Sequence, residues 1–185
     1  MEKQLFISIV ERYYPWISCL EKAAFQIHDD VNQKYDHVLP YGFHLKMVAS
    51  FVSRYGYLVA ESEADILVLY GSAYLHDTIE DARMTYNDIV KFIDDFRVGS
   101  LVLPEEIKRK LEEQVPEIVY ALTNEKGRNR KERANETYYK GIRDTRFASF
   151  IKMCDRLANI QYTMMFVFAN RMLEVYRREY PEFIR

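Results

Sequence analysis

Between Leu75 and Asp81 the chain reads Leu75-His76-Asp77-Thr78-Ile79-Glu80-Asp81, placing one imidazole and three carboxylates in a short run. Charges at this density are costly to bury unless they are hydrated, paired or metal-bound. The preceding segment, Ser62 to Leu75, is apolar on nearly every side (Ala64, Ile66, Leu67, Val68, Leu69, Tyr70, Ala73, Tyr74). That is the pattern of a buried central helix. A helix of this kind ending in His-Asp brings two ligand types to one point, where they can converge on a cation. Glu80 and Asp81 are then left to handle protons, which is the division of labour in a metal-dependent active site.

Two distant segments can supply further ligands. His44 lies in Pro40-Tyr41-Gly42-Phe43-His44-Leu45-Lys46-Met47-Val48, where Gly42 punctuates the chain and an apolar-periodic helix begins. Asp155 lies in Ile151-Lys152-Met153-Cys154-Asp155-Arg156-Leu157-Ala158-Asn159. There Phe147, Phe150, Ile151, Cys154, Leu157 and Ala158 form an inward stripe at helical spacing. Asp155 borders that stripe, and Asn159 follows one turn later on the same edge. Two histidines and two aspartates from three helices can therefore meet.

In these residues the chain resembles the HD-domain metal-dependent phosphohydrolases, whose ordered signature is His, then His-Asp, then a distant Asp. Within that superfamily it is most similar to the branch holding the hydrolase domain of RelA/SpoT-type enzymes. The shared features are the His-Asp-x-x-Glu-Asp run, here His76 to Asp81, and the Lys-x-x-Asp-Arg-x-x-Asn run, here Lys152, Asp155, Arg156 and Asn159. The similarity spans residues 20–162. It implies that His44, His76, Asp77 and Asp155 hold a single metal, and that Glu80 and Asp81 act on water. It also implies that Asn159 faces substrate or the attacking water. The implied substrate is a nucleotide, in this branch the 3′-pyrophosphate of (p)ppGpp. Mixed imidazole and carboxylate ligation suits Mn²⁺ first, with Fe²⁺, Co²⁺ and Zn²⁺ also compatible.

One departure bears on the substrate. Alarmone hydrolases typically carry an Arg-Lys pair shortly before the first ligand, whereas here the stretch is Gln33-Lys34-Tyr35-Asp36. Lys34 and Tyr35 become the candidate contacts. A nucleoside monophosphate is therefore a second candidate substrate, and a non-catalytic metal- or nucleotide-binding regulator a third reading. The basic run Asn124 to Arg133, with Arg128 and Arg130, is either a solvated face or a phosphate-binding element. Glu80 and Asp81 likewise have a plain alternative as solvated acids at a helix end. Tyr35, Tyr41 or Tyr138 could stack on a base. Arg156 is expected to brace its helix through other carboxylates, and His28 and His37 read as surface or loop residues.

The 185 residues suit one domain, with a core over 20–162 and a C-terminal helix over 162–178. A chain of this size buries roughly 70% of its unfolded surface. A formal net charge of −2 and a pI near 6.1 argue against a general nucleic-acid binder. No run approaches the ~20 apolar residues of a membrane span, and the N-terminal residues lack signal-peptide character. Cys19 and Cys154 read as free thiols, and the expected location is the cytoplasm. Helical periodicity predicts helices over 3–13, 15–28, 43–56, 63–76, 86–96, 104–123, 131–141, 145–160 and 162–178. Ser62-x-x-Asp65 and Thr85-x-x-Asp88 read as capping boxes. Asp144 reads as the N-cap of the helix carrying Asp155, and Pro116 as a break or kink. No alternating strand pattern is present. The expected fold is a compact all-α bundle with the metal site between helices.

Overall fold

The computed structural model describes residues 1–124, 128–165 and 171–184, except for the side chains at 130, 131, 171 and 172. It is an all-α bundle. In chain order the helices are α1 (Lys3–Arg12), α2 (Tyr14–Asp30), α3 (Gly42–Tyr55), α4 (Glu63–Leu75), α5 (Tyr86–Asp95), α6 (Glu105–Leu122), the single turn α7 (Arg130–Arg133), α8 (Glu136–Asp144), α9 (Ala148–Met165) and α10 (Arg171–Phe183). A 3₁₀ turn, Gly56–Leu58, follows α3.

The centre is α4, as its sequence requires. Every residue from Ala64 to Leu75 is buried. Each of its large aliphatic side chains contributes about 1.5–3 kcal/mol by leaving water. α6 packs most extensively against it, with α1, α2, α3 and α9 on its remaining sides. The α4–α6 crossing is close because Gly71 has no Cβ. One placed there would meet Val115 Cγ2 at 3.0 Å. The start of α4 is fixed by the expected capping box between Ser62 and Asp65, and α5 begins with the same device at Thr85 and Asp88. The buried Asp65 carboxylate also accepts from the Glu61 and Ser62 amides and pairs with Arg146 at 3.3 Å.

Several boundaries differ from the sequence reading. Pro116 lies inside α6 without ending it; its ring removes one backbone donor, but Val115, Ile118 and Val119 hold the helix against the core. The expected 131–141 helix is divided, because Asn135 adopts an extended backbone and caps α8 by accepting from the Tyr138 amide. Asp144 is not the cap of α9. It ends α8 and pairs with Lys140, while α9 starts at Ala148 after Phe147, whose φ is +65°. α9 runs past 160 to Met165, because no breaker intervenes and Tyr162 and Thr163 are buried. Of the expected 162–178 helix, residues 166–170 lie outside the described set.

A small hairpin was not expected: β1 (Lys34–Tyr35) pairs antiparallel with β2 (Leu39–Pro40), Lys34 opposite Pro40 and Tyr35 opposite Leu39. It turns through Asp36 and His37, both at positive φ, a conformation that short polar side chains tolerate better than most. Cys19 and Cys154 are free. No helix among the described residues is long and apolar enough to cross a membrane.

Candidate metal centre and adjoining cavity

His44 enters the site because α3 starts immediately before it. The Tyr41 carbonyl accepts from the amides of His44 (2.9 Å) and Leu45 (3.3 Å). His76 and Asp77 stand just beyond the last residue of α4, where the chain leaves the helix in a turn closed by the Thr78 amide on the Leu75 carbonyl and the Asp81 amide on the Asp77 carbonyl. His76 Nδ1 lies 3.0 Å from the Ala73 carbonyl. A carbonyl only accepts, so Nδ1 carries a hydrogen, and Nε2 is the ring nitrogen that faces the site.

The donor atoms converge. His76 Nε2 is 2.8 Å from Asp77 Oδ2 and 3.3 Å from His44 Nε2, and His44 Nε2 is 3.5 Å from the same Asp77 oxygen. These three residues form a group able to hold a metal ion, with all donor atoms within 4.8 Å of one another. Asp155, from α9, brings Oδ1 to 3.3 Å from His44 Nε2 and 4.0 Å from His76 Nε2. Donors bonded at about 2.1 Å to one ion sit roughly 3 Å apart when adjacent. The observed spacings are of that size.

The electrostatics favour a cation. Burial disfavours the charged form of His44, yet hydrogen bonds and charge from Asp155 and Asp77 outweigh it and raise the imidazole to about 9. Burial opposes ionisation of Asp77 as well, but His76 and His44 hold its carboxyl well below the usual range. Asp155 is depressed against its own burial by the Lys152 charge and His44; Lys152 Nζ lies 2.9 Å from its Oδ2. The site thus retains a positive charge on His44 at neutral pH, and a divalent ion would take over that role.

A cavity of about 130 Å³ adjoins this group at Asp77 and Asp155. Asp77, Glu80, Asp81, Lys152 and Asp155 line it, with Asn124, Tyr138 and Arg156. Asn124 Nδ2 donates to both Glu80 oxygens, at 2.7 and 2.8 Å, and so aims an otherwise exposed carboxylate. Asp81 is raised by burial and by the neighbouring Asp77 charge. Arg156 braces the bundle as expected. It pairs with Glu179 of α10 at 3.0 Å, and the Tyr176 and Phe183 rings lie beside its guanidinium.

The proposed substrate contacts are dispersed. Asn159 is committed to the protein: Nδ2 donates to Asp155 Oδ1 (2.7 Å), and Oδ1 accepts from the Tyr35 hydroxyl (2.8 Å). Tyr35 stacks on the His44 imidazole, with centroids 5.0 Å apart. Lys34 is exposed and is not among the cavity residues. Arg128 projects into solvent and pairs with Glu132 at 3.4 Å. The Arg130 side chain and residues 125–127 of the basic run lie outside the described set. Tyr41 is buried and its ring is covered by His28, which removes it as a base platform. Tyr138 is buried, its hydroxyl donating to the Leu122 carbonyl.

His28 is a correction. Instead of a surface residue it is fully buried, stacked on Tyr41 at 4.4 Å and 15°, and neither ring nitrogen has a hydrogen-bond partner among the described residues. Burial lowers its pKa to about 4. Unfolded, the imidazole binds a proton near 6.5. Its neutral form therefore stabilises the fold above that value, and this contribution is lost as pH falls towards 4. The full window corresponds to about 3 kcal/mol. His28→Phe keeps the stacked ring but does not titrate, so metal-free variant should lose less stability than wild type between pH 6.5 and 4. Urea unfolding across that range tests this; parallel pH dependences in the two proteins would refute it.

Comparison with protein-family models, with curated proteins and with solved structures yields no match for this chain.

Proposed function

We propose that the chain is a metal-dependent phosphohydrolase acting on a nucleotide, in line with its resemblance to HD-domain enzymes. The supporting observation is the convergence of His44, His76 and Asp77, with Asp155 beside them, where Asp77 and Asp155 also line a cavity together with Glu80, Asp81 and Lys152. Two imidazoles and two carboxylates fit a borderline ion, Mn²⁺ first. Such an ion, when bound, makes water nucleophilic near neutral pH and neutralises phosphate charge. Glu80, aimed by Asn124, accepts the proton as the water oxygen attacks phosphorus, and the phosphoester oxygen leaves as its P–O bond breaks and takes up a proton from solvent. Asp81 lies on the same wall and shares the proton work. Lys152, paired with Asp155 Oδ2 on the cavity wall, offers positive charge to a phosphate there.

A monophosphate substrate is the second reading, favoured by one observation. Among the described residues β1 offers only Lys34 and Arg128 is already paired with Glu132, so beyond Lys152 and Arg156 grips for a second phosphate group are scarce among them. A nucleotide panel with Mn²⁺ tests both. Pyrophosphate release from ppGpp supports the alarmone reading, and inorganic phosphate from a nucleoside monophosphate supports the second. Metal uptake without turnover of any nucleotide would overturn the hydrolase proposal in favour of a binding protein.

A further inference from the structure

We infer that Tyr41 is the positioning residue of the metal centre, holding the ligand Asp77 and the acid Asp81 through one hydroxyl. This rests on the metal reading of the site and not on the choice of substrate. The phenolic oxygen lies 2.6 Å from Asp77 Oδ2 and 2.7 Å from Asp81 Oδ2. The Asp77 oxygen involved is the one that meets His76 Nε2 at 2.8 Å and His44 Nε2 at 3.5 Å. The hydroxyl carries one hydrogen, which the two carboxylates share, and both contacts are short, as expected for a hydroxyl facing carboxylates. Asp81 is thereby kept no more than two hydrogen bonds from a ligating oxygen.

The hydroxyl is itself held in place. Tyr41 immediately precedes α3, and its carbonyl begins the helical bonding that places His44. Its ring lies flat on His28 of α2. The next residue, Gly42, presses against α2 so closely that a Cβ would meet Phe25 Cγ at 2.7 Å. α2 and the start of α3 are thus in contact through Gly42 and the Tyr41–His28 stack. The ring is buried and cannot swing away without opening the core, so the oxygen occupies one position. Groups that orient metal ligands in this way typically matter by about 10–100-fold in metal affinity or activity when removed.

The test is Mn²⁺ titration of purified protein by calorimetry, for wild type, Tyr41→Phe and Asp81→Asn. Phe retains the ring on His28, and the unfolding midpoint of the metal-free variant reports whether the fold is kept. Tyr41→Phe should bind Mn²⁺ about 10–100-fold more weakly. Asp81→Asn keeps an acceptor for the hydroxyl and leaves Asp77 held, so it should bind near wild-type affinity. Unchanged affinity in Tyr41→Phe overturns the inference. So does equal weakening in both variants, which would trace the effect to Asp81 and not to the hold on Asp77. Failure of wild type to bind Mn²⁺ would instead overturn the metal reading itself.

Discussion

His76→Ala protein should leave purification without its metal. The imidazole presents Nε2 within 2.8 Å of Asp77 and 3.3 Å of His44, the nearest contacts in the donor group. Alanine removes that donor and leaves Asp77 and Asp155 facing each other with one imidazole between them. Outer-shell changes cost about 10–100-fold in affinity, and loss of a direct ligand should exceed that range. Two side effects need separating from metal loss. The Ala73 carbonyl loses a partner at a buried position, a penalty of about 1–3 kcal/mol, and a void opens at the end of α4. Elemental analysis therefore has to be read beside the unfolding midpoint of metal-depleted protein. Equal metal content in the folded variant and wild type would remove His76 from the ligand set.

Glu80→Gln should do the opposite: keep the metal and lose turnover. Glu80 lies outside the converging donor group, on the cavity wall, and its carboxylate is gripped by Asn124 at both oxygens. Glutamine keeps one acceptor for Asn124 and nearly the same shape, so the wall is preserved. What it cannot do is take a proton from water. Removing a general base costs about 10²–10⁴-fold in kcat. The paired measurement is metal stoichiometry and kcat on the nucleotide identified by the panel. Near-normal kcat with metal retained would move the role to Asp81. Loss of metal would make Glu80 a ligand and reopen the donor set.

The parts of this site carried by helical period were legible in the chain. α4 is apolar all round, and such a helix has nowhere to go but the centre. Its capping box marks its start to the residue. Asp155 was placed by its neighbours Ile151 and Ala158, whose spacing defines a buried face. His28 carries the same kind of signal against its residue type. Leu20 and Ala24 precede it at four-residue spacing, and all three are fully buried, whereas an imidazole by itself points to the interior less than either of them. Other features have no local trace. Tyr41 and Asp77 are joined across 36 positions, and Asn124 reaches Glu80 across 44. The hairpin depends on two left-handed residues, Asp36 and His37, neither of which is the glycine that usually announces such a turn. Tyr35 owes its place over His44 to that turn.

The donor group also has a topological consequence. Its members come from α3, from the turn after α4 and from α9, so an ion bound by His44 and Asp155 would close most of the chain into a ring with α4 through α8 inside it. In this respect the ion acts as a removable cross-link. For a covalent link, closing a loop of about 100 residues lowers the entropy of the unfolded chain by an amount equivalent to about 4.7 kcal/mol. A coordination bond adds a condition that a covalent link lacks, because its contribution scales with the free ion: about 2.7 kcal/mol when the ion stands at 100 times its Kd. The endurance of this fold would then track the ion supply around it, independently of any substrate.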